Sequence, residues 1–160
     1  MPELFSAKEL IEVAIREEHT GAVYYRAVAE AAGTDELAAF AMTVAHMEDE
    51  HEAEFRSLLE SLGPPRPPAE SYEGEYGAYM AYLLEGRIFP TGRDGVELAR
   101  NQPDDRSAVE TALELERNTL LFYHEMLPFV PEEHHDLLNG IIAEERQHVT
   151  DLARYHQRHF

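Results

Sequence analysis

Glu48 and His51 occupy positions where the surrounding helical pattern calls for apolar side chains. They belong to a stripe of residues spaced alternately four and three apart, which is the spacing of a helix face that packs into a core. The stripe consists of Leu37, Ala41, Val44, Glu48, His51, Phe55, Leu58 and Leu62. Burying an uncompensated carboxylate is very costly. The pattern therefore predicts that something positively charged lies opposite Glu48 and His51.

A second Glu-x-x-His motif, formed by Glu145 and His148, lies 97 residues after the first and again interrupts an apolar stripe. Each half of the chain also carries an earlier stripe glutamate, Glu18 or Glu116, and a tyrosine follows each of them seven residues later. Matching polar residues on matching core stripes are hard to obtain by chance. The sequence therefore contains an internal repeat of two helices.

The repeat also resolves a local ambiguity. Glu17 and Glu18 are adjacent, and each has a tyrosine seven residues later. The position that corresponds to Glu17 in the second half is Leu115, which cannot bind a metal. We therefore prefer Glu18 to Glu17 as the candidate metal ligand.

The spacing indicates metal chemistry. Residues three apart share one helix face, so each Glu-x-x-His motif can present an oxygen and a nitrogen to the same point. One glutamate from each of two helices and Glu-x-x-His from two others form the ligand set of dinuclear carboxylate sites in bundles. Four carboxylates balance two divalent ions, which makes their burial tolerable. This mixture of ligands suits iron or manganese, whereas zinc would be redox-silent. The predicted ligands are Glu18, Glu48, His51, Glu116, Glu145 and His148.

Composition narrows the class of protein. The 160 residues are 44% hydrophobic and carry a formal net charge of -19, which argues against nucleic acid as a partner because phosphate binding needs lysine and arginine. No cysteine is present, so disulfides and thiolate sites are excluded. No apolar stretch is long enough to cross a membrane, and no basic segment followed by an apolar run begins the chain. We expect a cytoplasmic protein without a membrane partner.

Four long amphipathic helices are predicted, at about residues 6–32, 35–62, 104–127 and 131–157. Ser6 is a plausible N-cap for the first helix, and Pro131 is a good first residue for the fourth. Residues 63–103 form a long crossover that contains a helical turn near its end. Two helical hairpins joined by one long crossover match the ferritin-like four-helix bundle. We expect an all-α fold with a single domain over residues 1–160.

These residues resemble the rubrerythrin-like, ferritin-like diiron-carboxylate family. The resemblance covers both helical pairs, about residues 6–62 and 104–157, and rests on the two Glu-x-x-His motifs with the preceding Glu and Tyr. It implies that the six predicted ligands hold two iron ions, with manganese as a possible substitute. It also implies that Tyr25 and Tyr123 pack beside the site and hydrogen-bond a carboxylate.

The chain departs from the family in two ways. Full-length rubrerythrins carry a small cysteine-containing rubredoxin domain, and here there is no cysteine, so the resemblance implies an external electron donor. Classical members also carry a further glutamate one turn after the third-helix glutamate, where this chain has Thr119. That glutamate belongs to the peroxide-reducing chemistry. Its absence weakens the implied peroxidase activity and leaves the implied ligands unchanged.

The leading interpretation is a diiron oxidoreductase that reacts with peroxide or dioxygen and forms a homo-oligomer, most simply a dimer. Two alternatives stay open. The same ligands permit a ferroxidase or another iron-handling protein, and they permit a redox-silent metal-binding bundle.

Other acidic and histidine residues are weaker candidates. Glu85, in the crossover, is a speculative ligand, and adjacent His134 and His135 permit a secondary surface metal site. We predict surface positions for the remaining histidines: His19, His46, His124, His156 and His159.

Overall fold

The computed structural model describes residues 7–62 and 95–160, and within these ranges it contains helices and no strand, as predicted for an all-α protein. The α-helices are α1 (Ala7–Ala31), α2 (Asp35–Ser61), α3 (Gly95–Arg100), α4 (Asp105–Met126) and α5 (His135–His159). Two 3-10 turns, Leu127–Phe129 and Glu132–His134, connect α4 to α5. In the described ranges, no helix is both long enough and apolar enough to cross a membrane.

The long helices pack as two antiparallel hairpins. Helix α1 lies along α2, α4 lies along α5, and α1 also contacts α4 across the bundle. The buried apolar residues fall into two clusters, one around Ile11, Phe55 and Phe122 and the other around Val28, Val109 and Leu152. Both clusters draw residues from all four long helices, so the two hairpins share their core.

Side-chain caps explain where two of the helices begin. The Thr34 hydroxyl accepts a hydrogen bond from the Leu37 backbone N–H at the start of α2, at 3.2 Å. The Asp104 carboxylate accepts one from the Ser107 N–H at the start of α4, at 2.8 Å. Each bond satisfies a backbone donor that has no partner within the helix. The predicted cap Ser6 lies outside the described residues.

The fourth long helix begins later than the sequence pattern suggested. Pro131 has an extended ψ of 141°, and Glu132–His134 form a 3-10 turn before α5 begins at His135. Pro131 therefore precedes the helix instead of opening it. The buried stripe of α5 is as predicted, because only the residue at which the helix begins differs.

Most of the predicted crossover, residues 63–94, lies outside the described residues. Its end forms α3, which packs on α1. Gly95 makes this contact possible, since a Cβ atom there would lie 2.5 Å from the Thr20 carbonyl oxygen and 2.7 Å from the Tyr24 backbone nitrogen. Both obstacles belong to the backbone of α1, so neither can move aside.

We predict opposite effects for two glycine-to-alanine substitutions. Gly95→Ala should lower the free energy of unfolding by about 1–3 kcal/mol, because the new methyl group overlaps the α1 backbone. Gly140→Ala lies in the second turn of α5, where no described neighbour comes within 4 Å of the added Cβ, and should raise it by up to about 1 kcal/mol. Urea denaturation of metal-free protein measures both changes. Equal changes in the two variants would contradict the proposed docking of α3.

Candidate metal centre

The centre of the bundle contains a cluster of buried acidic and histidine side chains between the two apolar clusters. Helix α1 supplies one glutamate and α4 another, while α2 and α5 each supply a glutamate and a histidine. No member is more than 4% exposed: Glu18, Glu48, His51, Glu116, Glu145 and His148. The structure thus brings together all six residues that the sequence pattern selected.

Their ligand atoms form two overlapping groups, within each of which all atoms lie inside 4.8 Å of one another. One group contains Glu18 and His51, the other contains Glu116 and His148, and both contain Glu48 and Glu145. Two groups that share two carboxylates would suit two adjacent ions, which is the kind of site that four-helix bundles build from this ligand set.

Both histidines direct Nδ1 towards the carboxylates. The His51 Nδ1 atom lies 2.8 Å from Glu145 Oε1 and 3.3 Å from Glu18 Oε2. The His148 Nδ1 atom lies 3.4 Å from both Glu48 Oε1 and Glu145 Oε2. Ligands bound about 2.1 Å from an ion and at right angles to one another would be about 3.0 Å apart. The observed separations therefore suit atoms that share an ion.

Several of these atoms are close without being hydrogen-bonded. Within the described part of the chain, His51 Nδ1, His148 Nδ1 and both oxygens of Glu145 have no partner with hydrogen-bond geometry. Buried polar groups are normally hydrogen-bonded, and leaving them unsatisfied is costly. Atoms that converge on one region without bonding to each other fit metal ligands better than a self-contained polar network. The donor set fits two divalent ions.

Two tyrosines brace the cluster across the hairpins. The Tyr25 hydroxyl on α1 donates a hydrogen bond to Glu116 Oε1 on α4, and the Tyr123 hydroxyl on α4 donates one to Glu18 Oε1 on α1. Burial, together with the neighbouring glutamates, raises the pKa of each tyrosine well above its ordinary value. The hydroxyls therefore keep their protons and act as fixed donors. Each leaves the second oxygen of its glutamate available to an ion.

Comparison with known proteins agrees with this geometry. The family model described as Rubrerythrin matches residues 9–156, nearly the whole chain. The chain belongs to the rubrerythrin family. It is also similar in fold to a solved structure from Thermotoga maritima, described as that of a candidate ferritin-like diiron-carboxylate protein, with a TM-score of 0.74 and 20% sequence identity over 96% of this chain and 95% of the other. A search of curated proteins finds no significant match.

Protonation in the metal-free site of this rubrerythrin-family chain follows from its charges. Burial opposes the positive charge of His51, but Glu145 and Glu18 outweigh it and raise the pKa of His51 to about 11. Burial, with a contribution from Glu145, raises the pKa of Glu116 to about 8. Burial and three neighbouring carboxylates likewise raise the pKa of Glu48 well above its ordinary value. Without metal, protons therefore supply the positive charge that the cluster needs.

The two histidines differ at Nε2, the ring nitrogen that is not directed towards the carboxylates. The His51 Nε2 atom lies 2.9 Å from Glu144 Oε2. With Nε2–H donating this hydrogen bond to Glu144, the Nδ1 atom of His51 is left free to bind a metal. The His148 Nε2 atom has no such partner among the described residues. Sequence reasoning missed Glu144, because its counterpart in the repeat is Met47 and the symmetry gave no signal for it.

A small cavity of about 10 Å³ lies beside the cluster, between α1 and α4, and is the size of one water molecule. Gly21 helps to keep it open, since a Cβ atom there would lie 3.0 Å from Glu48 Oε2. The cavity is lined by Glu17, Gly21, Tyr25, Glu48, Leu115, Glu116 and Thr119. Burial outweighs the nearby charge of Arg16 and raises the pKa of Glu17 to about 8. The Glu17 side chain is half-buried as a whole, but its Oε2 atom is enclosed.

The remaining candidates do not join the cluster. Four of the predicted surface histidines face carboxylates near the surface, namely His19, His46, His156 and His159, and His124 is exposed. His134 lies near the Ser61 hydroxyl and His135 bonds to the Val130 carbonyl, and within the described ranges neither belongs to a metal-binding group. Glu85 lies outside the described residues.

We predict that the bracing tyrosines control metal affinity. The double variant Tyr25→Phe/Tyr123→Phe should bind Co²⁺ roughly 10- to 100-fold more weakly, because two carboxylates lose the donors that orient them. Tyr24→Phe is the matched control, since that hydroxyl donates to the Ala108 carbonyl, away from the cluster. Calorimetric titration measures the affinities. Equal affinities for the double variant and the control would refute the bracing role.

We also predict that metal-free protein becomes less stable as the pH rises from 6 to 8. The folded state holds protons on Glu116 and His51 that the unfolded chain releases near pH 4.5 and 6.5, so folding binds protons in this range and is weakened by their removal. Glu145, whose pKa is lowered by His148 and His51 against the opposing effect of burial, is ionised in both states and contributes no slope.

Thermal unfolding of metal-free protein at pH 6 and pH 8 tests the direction of this change in stability. Tm should fall by roughly 2–4 °C for each kcal/mol lost. Added Mn²⁺ should raise Tm more at pH 8 than at pH 6, because binding displaces these protons. A metal-free Tm that rises between pH 6 and pH 8 would contradict the assignment.

Proposed function

We propose that this protein is a dinuclear-metal oxidoreductase that reacts with peroxide or dioxygen. The observation that carries the proposal is the pair of overlapping buried groups that share Glu48 and Glu145. Membership of the rubrerythrin family supports it, as does the fold shared with a protein described as a candidate ferritin-like diiron-carboxylate protein. Iron is the favoured metal and manganese is the second choice, because oxygen and imidazole ligands suit both.

Each part of the site has a separate task in this proposal. His51 and His148 would each offer Nδ1 to one ion, and Glu48 and Glu145, which belong to both groups, would help to hold both ions. Tyr25 and Tyr123 keep the terminal carboxylates Glu116 and Glu18 in one orientation. The apolar clusters on either side exclude bulk water. A bound iron pair would supply the redox chemistry, which these side chains lack.

The electrons must come from outside this sequence, which contains no cysteine to hold a thiolate-ligated relay. Reduction of one peroxide to two waters consumes two electrons and two protons. We propose an external donor that resets the site after each turnover. The functional unit is proposed to be a homodimer that needs neither nucleic acid nor a membrane.

Elemental analysis of protein purified without added metal is the first test. We expect about two iron or manganese ions per chain, as in other dinuclear carboxylate bundles. The variant His51→Ala/His148→Ala should lose them, because each ion loses its only nitrogen ligand. The matched control is His46→Ala/His124→Ala, which removes two exposed imidazoles and should retain the metal. Equal metal content in both double variants would refute the site.

Reactivity is then tested on the reduced, iron-loaded protein. Hydrogen peroxide or dioxygen should oxidise the iron, and the His51→Ala/His148→Ala variant should not show this reaction. Turnover with an artificial electron donor and no further iron uptake identifies an oxidoreductase. Continued uptake of ferrous iron would instead identify an iron-handling protein, and bound iron that no oxidant changes would identify a redox-silent bundle.

A further inference from the structure

Glu17 faces the site across the small cavity, and the six-residue set does not use it. It lines the cavity between α1 and α4 together with Glu48 and Glu116, which both belong to the group around His148. Of the group around His51, only Glu48 reaches this cavity. Glu17 is therefore placed next to one of the two groups and not midway between them.

The Glu17 carboxylate is incompletely satisfied where it lies. Its Oε2 atom is enclosed and has no hydrogen-bond partner in the part of the chain that the structure describes. An enclosed carboxylate oxygen without a partner is costly. On the α4 side, the cavity is lined by Leu115, the counterpart of Glu17 in the repeat, and by the short side chain of Thr119. None of the described residues that line the cavity carries a positive charge. A cation in the adjacent group would compensate the Glu17 oxygen.

The space beside Glu17 allows it to move. The water-sized cavity separates its side chain from the cluster, and Gly21, one helical turn later, adds no side chain to fill that space. A rotation about the Glu17 side-chain bonds would carry an oxygen into the cavity, towards Glu48 and Glu116. The cavity is thus large enough for one ligand atom, which is either a water molecule or a carboxylate oxygen.

We propose that Glu17 is a further metal ligand, which enters from the cavity and completes the coordination of the ion held by Glu48, Glu116, Glu145 and His148. This inference rests on the proposed function, since it requires metal in the site. It makes the two ions unequal. The ion beside His51 has three carboxylates, whereas the ion beside His148 has four.

Binding of Co²⁺ tests the inference without any measurement of activity. Co²⁺ is redox-silent under anaerobic conditions, and its visible absorption strengthens when its coordination number falls. Glu17→Gln keeps the shape of the side chain and removes its charge. Glu114→Gln is the matched control, because Glu114 is also a glutamate close to a member of the cluster, but it is exposed on the outer face of α4.

We expect Glu17→Gln to weaken the binding of one of two Co²⁺ ions by roughly tenfold or more and to strengthen its visible absorption, while Glu114→Gln changes neither. Circular dichroism of the metal-free variants verifies that both are folded. Two Co²⁺ ions bound with unchanged affinity and spectrum in Glu17→Gln would overturn this inference and leave the proposed function intact. Equal weakening in both variants would also overturn it, because a general loss of negative charge would then be the cause. Failure of the unsubstituted protein to bind Co²⁺ would refute the proposed function itself, and this inference with it.

Discussion

The need to neutralise four buried carboxylates governs the centre of this bundle. Glu18, Glu48, Glu116 and Glu145 are almost fully excluded from water, and the apolar clusters above and below them offer no counter-charge. Such a cluster is tolerable only with compensating cations. Protons on the histidines and on some of the carboxylates perform this task in the metal-free chain, and two divalent ions would perform it after loading. The same need accounts for the hydrogen bonds that both tyrosines donate to glutamates and for the Nδ1 atoms of both histidines that face the carboxylates.

The internal repeat builds a site that is symmetric in its ligands and asymmetric in its surroundings. The symmetric part consists of the glutamates, histidines and tyrosines on the long helices. The asymmetric part arises where the two halves differ: Glu144 has Met47 as its counterpart, Glu17 has Leu115, and Gly21 has Thr119. These differences give one histidine an outer carboxylate partner and place a cavity beside Glu17 and Gly21. Two ions held by equivalent motifs would therefore experience different environments.

Much of the fold and most of the central cluster could be predicted from sequence, because both are expressed as periodic patterns. A glutamate and a histidine three apart on an apolar stripe must face the core, whatever the details of packing. Glu144 was missed and Glu17 was set aside in favour of Glu18, because each immediately precedes a cluster member and lies off the stripe. The contact of Glu144 with His51 and the position of Glu17 at the cavity depend on side-chain directions that spacing does not encode. The entry of α5 was also misjudged at Pro131, where proline is equally compatible with a helix start and with an extended residue before a turn. The docking of α3 depends on a close backbone approach at Gly95 that no local pattern reveals.

The crossed tyrosine bonds have a consequence for how the site comes into being. They join residues separated by 91 and 105 positions along the chain, and each connects one hairpin to the other. Neither hairpin alone contains a complete ligand group, so the cluster is assembled only when the two hairpins dock. Contacts of such long sequence separation bear a large loop-closure entropy and form late in folding. The nascent chain thus passes its local helix-forming steps before it has a site that can capture a metal ion.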